Sequence, residues 1–147
     1  DPRHTLLLVD DEADVLDILV RMFQRQYRVL TATSGQEALS ILRTQTVDVL
    51  ITDQRMPEMT GIEFLERSIP LAPGAKRVLL TAYADTDVAI RAIKGFGERN
   101  GVEVRERIAG LVMAVTPIDF HASVASFCLV MSRLTPAMRS VRMMYKP

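Results

Sequence analysis

Short, nearly unbroken apolar runs alternate with longer stretches of helical spacing from the start of the chain. The runs are "TLLLVD" (Thr5 to Asp10), "YRVLTA" (Tyr27 to Ala32), "VDVLITD" (Val47 to Asp53) and "RVLLTA" (Arg77 to Ala82). Between the first two, Val15, Leu16, Ile18, Leu19, Met22 and Phe23 recur at three and four residues, which predicts a helix with one apolar face. "SGQE" (Ser34 to Glu37) and "TGIE" (Thr60 to Glu63) are capping-box patterns and open two more helices. Asp85 can cap a fourth helix carrying Val88, Ile90 and Ile93, which Gly95 and Gly97 are expected to end. Four strand-helix units of this kind predict an α/β fold: a doubly wound parallel sheet with helices on both faces.

In an open parallel sheet, ligands bind beyond the carboxyl ends of the strands, where strand order reverses. Polar residues sit at those ends here: Asp10 and Asp11 after the first run, Asp53 at the end of the third and Thr81 at the end of the fourth. A single Asp after a strand is usually a turn former, but turn chemistry does not require three acids and a Thr to fall on the first, third and fourth strands only. Carboxylates converging on one rim repel each other unless a cation compensates. An all-oxygen donor set with room for water suits Mg²⁺, with Mn²⁺ as a substitute. A carboxylate beside such a metal can attack a phosphoryl group, and Asp53, alone at its strand end, is the best placed nucleophile. The Thr81 hydroxyl fits a sensor of the resulting phosphoryl group.

Composition narrows the alternatives. A chain of 147 residues fits one main domain, and eighteen basic residues balance eighteen acidic ones. No net charge is available to hold nucleic acid or an anionic membrane surface, so neither is an expected partner. Cys128 is the only cysteine, which excludes an internal disulfide and a cysteine-based zinc site. His4 and His121 are isolated in the sequence. The apolar stretches fall short of the ~20 residues a spanning helix needs, and a cytoplasmic location is expected. The chain opens on Asp1 rather than Met, which leaves room for a longer parent protein.

At these residues the chain resembles a response regulator receiver domain of two-component signalling. The matching pieces are "LLLVDDEADVLDIL", "DVLITDQRMPEMTGIEFLE" and "RVLLTAYADTDVAIRAI", in the family's order and spacing. The resemblance implies a five-stranded, flavodoxin-like fold in which Asp53 accepts a phosphoryl group from a sensor histidine kinase or a phosphotransfer protein. It also implies that Asp11, Asp53 and the backbone carbonyl of Arg55 bind Mg²⁺, that Asp10 helps through water, and that Thr81 turns toward the phosphoryl group. Such a domain is a switch with slow self-hydrolysis, not a turnover enzyme. It acts on an output domain or effector beyond this chain, and a homodimer is a further option.

The similarity changes after the fourth helix. A receiver carries a fifth strand ending in Lys-Pro; here "LVMAVTPIDF" (Leu111 to Phe120) matches that region with Thr116 in place of the lysine. A rival alignment uses "MMYKP" and restores the lysine as Lys146. Neither supplies the family's aromatic residue three positions before, since Met113 or Met143 stands there. Lys94, Arg105 and Arg107 are the candidates for a replacement charge, but they are expected to be solvated surface cations. The expected organisation is a receiver domain over residues 1–131 with an atypical insertion at about 95–110, followed by an extension or linker over 132–147. Loss of the lysine motivates a second reading, a phosphorylation-impaired receiver serving as a protein-interaction module.

Overall fold

The structure, a computed structural model, describes residues 3–80, 86–101, 103–108 and 111–115. The four apolar runs form β1 (Thr5–Val9), β2 (Arg28–Ala32), β3 (Val49–Asp53) and β4 (Lys76–Leu80). Helices α1 (Ala13–Phe23), α2 (Gly35–Thr44), α3 (Gly61–Ser68) and α4 (Thr86–Asn100) follow them in turn. Two more strands close the described chain, β5 (Glu103–Ile108) and β6 (Leu111–Val115). All six lie in one sheet of order β2-β1-β3-β4-β6-β5.

β1 and β3 are buried along their whole lengths, so an uninterrupted apolar run is the pattern that fits. Alternate residues serve opposite layers. Leu6 and Leu8 of β1, Val49 and Ile51 of β3 and Val78 of β4 pack with Val15, Leu16, Leu19 and Phe23 of α1. Leu7, Val9, Leu50 and Leu79 point the other way, into a core completed by α2, α3 and α4. β2 lies at the edge, and its residues Arg28 to Leu30 are correspondingly half-buried and Thr31 exposed, while Ala32 at its end is buried.

Both capping patterns act at their helix starts. Ser34 Oγ accepts from Glu37 N at 3.1 Å, and Thr60 Oγ1 accepts from Glu63 N at 3.2 Å. The Glu37 carboxylate reaches back one residue beyond the cap, accepting from Thr33 N and Thr33 Oγ1 at 2.9 Å each.

α4 runs straight through Gly95 and Gly97 instead of stopping there, and reaches Asn100. Each glycine costs about 1 kcal/mol in a helix interior. Phe96 between them and Ile93 one turn earlier are both fully buried, and each contributes about 1.5–3 kcal/mol, enough to carry the helix onward. Gly101, at φ +62°, follows the last helical residue in the left-handed conformation that glycine adopts freely.

The doubly wound α/β class therefore holds, with a difference at one edge. The expected fifth strand, Leu111–Val115, takes the slot beside β4 but runs antiparallel to it, and among the described residues the sheet has six strands where five were expected. β5 pairs antiparallel with β6 on its outer side. Only two residues separate Ile108 from Leu111, a link short enough for a hairpin and far too short for the crossover that a parallel pair demands.

Candidate functional site

β1 leads to β2 on one side, and β3 then lies on the other side of β1, so strand order reverses between β1 and β3. The crevice beyond their carboxyl ends is where an open α/β sheet offers a ligand site. Asp10 follows β1 there, buried; its amide donates to the Ala32 carbonyl at 3.1 Å and its Oδ1 accepts from Glu12 N at 2.9 Å. Glu12 is the first residue of α1's cap and has no side-chain cap bond of its own, so the strand-end carboxylate shapes this turn. Asp11 is exposed beside it. Asp53 is the last residue of β3, still in register with Leu80 of β4, and only 8 % exposed.

The three carboxylates converge: one oxygen from each of Asp10, Asp11 and Asp53 lies within 4.8 Å of the others. Burial pushes the Asp53 carboxyl up from 3.8 to about 7, with the neighbouring Asp10 charge adding to the rise and Asp11 contributing last. The backbone amides of Gln54 and Arg55 work against that rise, the former at 2.8 Å from Asp53 Oδ1. A divalent cation would reverse the balance, because it favours the ionised form of every carboxylate around it. An all-oxygen donor set on a partly hydrated rim thus fits a hard ion such as Mg²⁺.

The loop from β3 to α3 is held down at both ends. Gly61 presses against the end of β3 so closely that a Cβ on it would lie 2.2 Å from the Asp53 carbonyl oxygen, so no other residue fits without moving that backbone. Met59 is buried against the first turn of α2, its sulfur 2.5 Å from where a Cβ on Gly35 would stand. Glu58, immediately before Met59, has φ 68°, an uncommon conformation for a residue with a side chain.

Of the residues singled out by sequence, Asp10, Asp11 and Asp53 are brought together, and Arg55 contributes its amide to Asp53. Thr81, Thr116 and Lys146 lie outside the described residues. Register places Ala114 of β6 opposite Arg77, near the start of β4, whereas Asp53 pairs with Leu80 at its end. The last residue of β6, Val115, is therefore at the rim opposite the acids, whereas a fifth parallel strand would have ended beside them.

Three residues of structural weight escaped the sequence reading. Gln54 looked like an ordinary loop residue after an aspartate, but it reaches across the loop to Gly61 N and Ile62 N. Gly61 had a visible signal, a glycine opening a helix straight after a capping Thr. Arg77 read as the polar start of a strand but is fully buried, its guanidinium donating to Ser68 Oγ at 3.0 Å and to the carbonyls of Ala72 and Ala75. Burial lowers its pKa to about 10.

An open, mostly parallel α/β sheet with an acidic cluster at its switch point is the frame of a signalling receiver domain. Residues 6–111 match the family model of the response regulator receiver domain, and the chain belongs to that family. It is 38% identical over 97 residues to the hydrogenase transcriptional regulatory protein HoxA of Cupriavidus necator, covering 66% of this chain and 20% of that protein. An uncharacterized 14.6 kDa protein of Leptolyngbya boryana is 32% identical over 130 residues, covering 84% of this chain and 89% of that one. Among solved structures, the chemotaxis response regulator CheY4 of Vibrio cholerae superposes with a TM-score of 0.59 at 28% identity, over 65% of this chain and 81% of that one. The chain thus spans about a fifth of the length of the curated transcriptional regulators it matches. Among the described residues, no helix is long and apolar enough to cross a membrane.

Proposed function

We propose that this receiver accepts a phosphoryl group on Asp53 from the phosphohistidine of a sensor kinase or phosphotransfer protein. The observation that carries this reading is the meeting of Asp10, Asp11 and Asp53 within 4.8 Å at the switch point between β1 and β3. In the transfer, an Asp53 carboxylate oxygen attacks phosphorus, a P–O bond forms, and the P–N bond to the donor imidazole breaks. Asp11, Asp53 and the Arg55 carbonyl would hold Mg²⁺, with Asp10 contributing through water. Bound there, the ion supplies charge compensation for the phosphoryl oxygens. Asp10 also fixes the α1 turn through Glu12 N, and the Gln54 and Arg55 amides orient Asp53 from beneath. Thr81 would receive the phosphoryl oxygen as a hydrogen-bond donor. The output element is a domain or effector outside this chain, as the much longer transcriptional regulators among its relatives suggest.

A mass measurement after incubation with Mg²⁺ and a small phosphodonor tests this reading. The wild-type chain gains one phosphoryl group and Asp53→Asn gains none; a wild type that stays unmodified over hours, with donor or with kinase, refutes it. One observation favours the second reading, an interaction module with impaired phosphorylation. The strand expected to present the family lysine beside Asp53 runs in the opposite direction. Mg²⁺-dependent uptake that is orders of magnitude slower than in an ordinary receiver, with partner binding unchanged in Asp53→Asn, would select it.

A further inference from the structure

Gln54 makes hydrogen bonds through three different groups. Its amide donates to Asp53 Oδ1 at 2.8 Å, its carbonyl accepts from Gly61 N at 3.1 Å, and its side-chain Oε1 accepts from Ile62 N at 3.0 Å. The first four amides of any α-helix have no partner within the helix. At the start of α3, the Thr60 side chain serves Glu63 N, and Gln54 serves both Gly61 N and Ile62 N. The Gln54 side chain thus spans eight positions to a helix start. Gly61 meanwhile touches the Asp53 carbonyl with no space for a side chain, so a shift of the Asp53–Gln54 peptide pushes directly on the first turn of α3. Phe64 and Leu65 are fully buried, so that turn is attached to a rigid element and not to a loose loop.

We propose that Gln54 is a positioning residue that ties the chemical state of Asp53 to the first turn of α3. The inference rests on the reading of Asp53 as phosphoacceptor. Conversion of the carboxylate to an acyl phosphate leaves both former carboxylate oxygens without the charge that strengthens the bond from Gln54 N. The Gln54 peptide then relaxes, and its other two bonds carry the change to Gly61 and Ile62. The exposed side of α3, including Glu63 and Arg67, becomes part of the surface by which a partner distinguishes the two states. This route needs neither a lysine nor an aromatic switch at the far edge of the sheet.

Amide hydrogen exchange at Ile62 tests it in a double-mutant cycle on the full 147-residue chain. Gln54→Leu should speed exchange of Ile62 about five- to tenfold, the loss of one hydrogen bond, whereas Gln54→Glu keeps an acceptor and leaves it within about twofold. Asp53→Asn, which removes the carboxylate charge, should alter Ile62 exchange in the wild-type background and do so clearly less in Gln54→Leu, where only the backbone link through Gly61 remains. Additive effects, or Ile62 exchange indifferent to Gln54→Leu, overturn the proposal; should Gln54→Leu not fold, Gln54→Ala completes the cycle. Phosphoryl uptake is read by mass on the same samples. Its absence in the wild type refutes the phosphoacceptor role alone, since the cycle decides the Gln54 linkage without any phosphodonor.

Discussion

Removing the charge of Asp53 should stabilise the metal-free protein, and by an amount that grows with pH. The carboxyl is raised from 3.8 to about 7 by burial and by Asp10, so the folded chain keeps a proton that the unfolded chain has released. With more protons bound in the folded state, stability falls as pH rises from about 4 to about 7 and is level above that. At about 1.4 kcal/mol for each pKa unit, the whole rise corresponds to at most about 4 kcal/mol. Measurements between pH 5 and 8 capture about two of those units, at most about 2.7 kcal/mol, and water at this open rim reduces that to roughly 1–2 kcal/mol. Asparagine resembles the protonated acid and has no such penalty. Urea unfolding of wild type and Asp53→Asn in a chelator, at pH 5, 6, 7 and 8, should show the variant's advantage widening by that amount. Slopes from other groups largely cancel in the difference. A difference that stays constant from pH 5 to 8 would show that Asp53 is not held protonated by burial and Asp10, and the electrostatic case for a compensating cation would go with it.

Mg²⁺ should add stability in the same pH window and in the opposite sense: at a hundred times its dissociation constant it contributes about 2.7 kcal/mol at pH 8 and much less at pH 5, where protons compete. Thermal melts with and without the ion check this, and an equal gain in Asp53→Asn would count against the acidic cluster as the site. Gly61→Ala forces a Cβ against the Asp53 carbonyl and should cost about 1–3 kcal/mol in urea titrations while slowing phosphoryl uptake; unchanged stability would mean that the contact is not as tight as the backbone places it. Phe96→Ala should cost about 3–5 kcal/mol by circular dichroism melts, because that side chain carries α4 past its two glycines. Arg77→Ala strips the Ala72 and Ala75 carbonyls of their donor and leaves a cavity, a loss of about 3 kcal/mol or more, and Arg77→Met, which fills the volume without burying a charge, should cost less.

The sequence by itself determined the four parallel strands, the helices between them and the rim on which Asp10, Asp11 and Asp53 meet. Those features follow from periodicity and capping chemistry, which are properties of neighbouring residues: Leu6 to Val9, a short apolar run ahead of a helical repeat, fits a doubly covered strand, and Ser34 and Thr60 announce their helices before any tertiary contact forms. Parallel connectivity then places every strand's carboxyl end on one side. Tertiary structure decided the rest. Gly95 and Gly97 read as a helix end because propensity is local, but the burial of Ile93 and Phe96 outweighs it. Leu111 to Val115 reads equally well in either direction, since an apolar strand has no polarity of pattern. The short link to β5 turned it antiparallel and put its end at the rim away from the acids. Gln54 and Arg77 acquired their roles from partners several residues away, Ile62 for one and Ser68 and Ala72 for the other. Polar side chains reveal such a role only once the backbone has brought an unmatched donor or acceptor within reach.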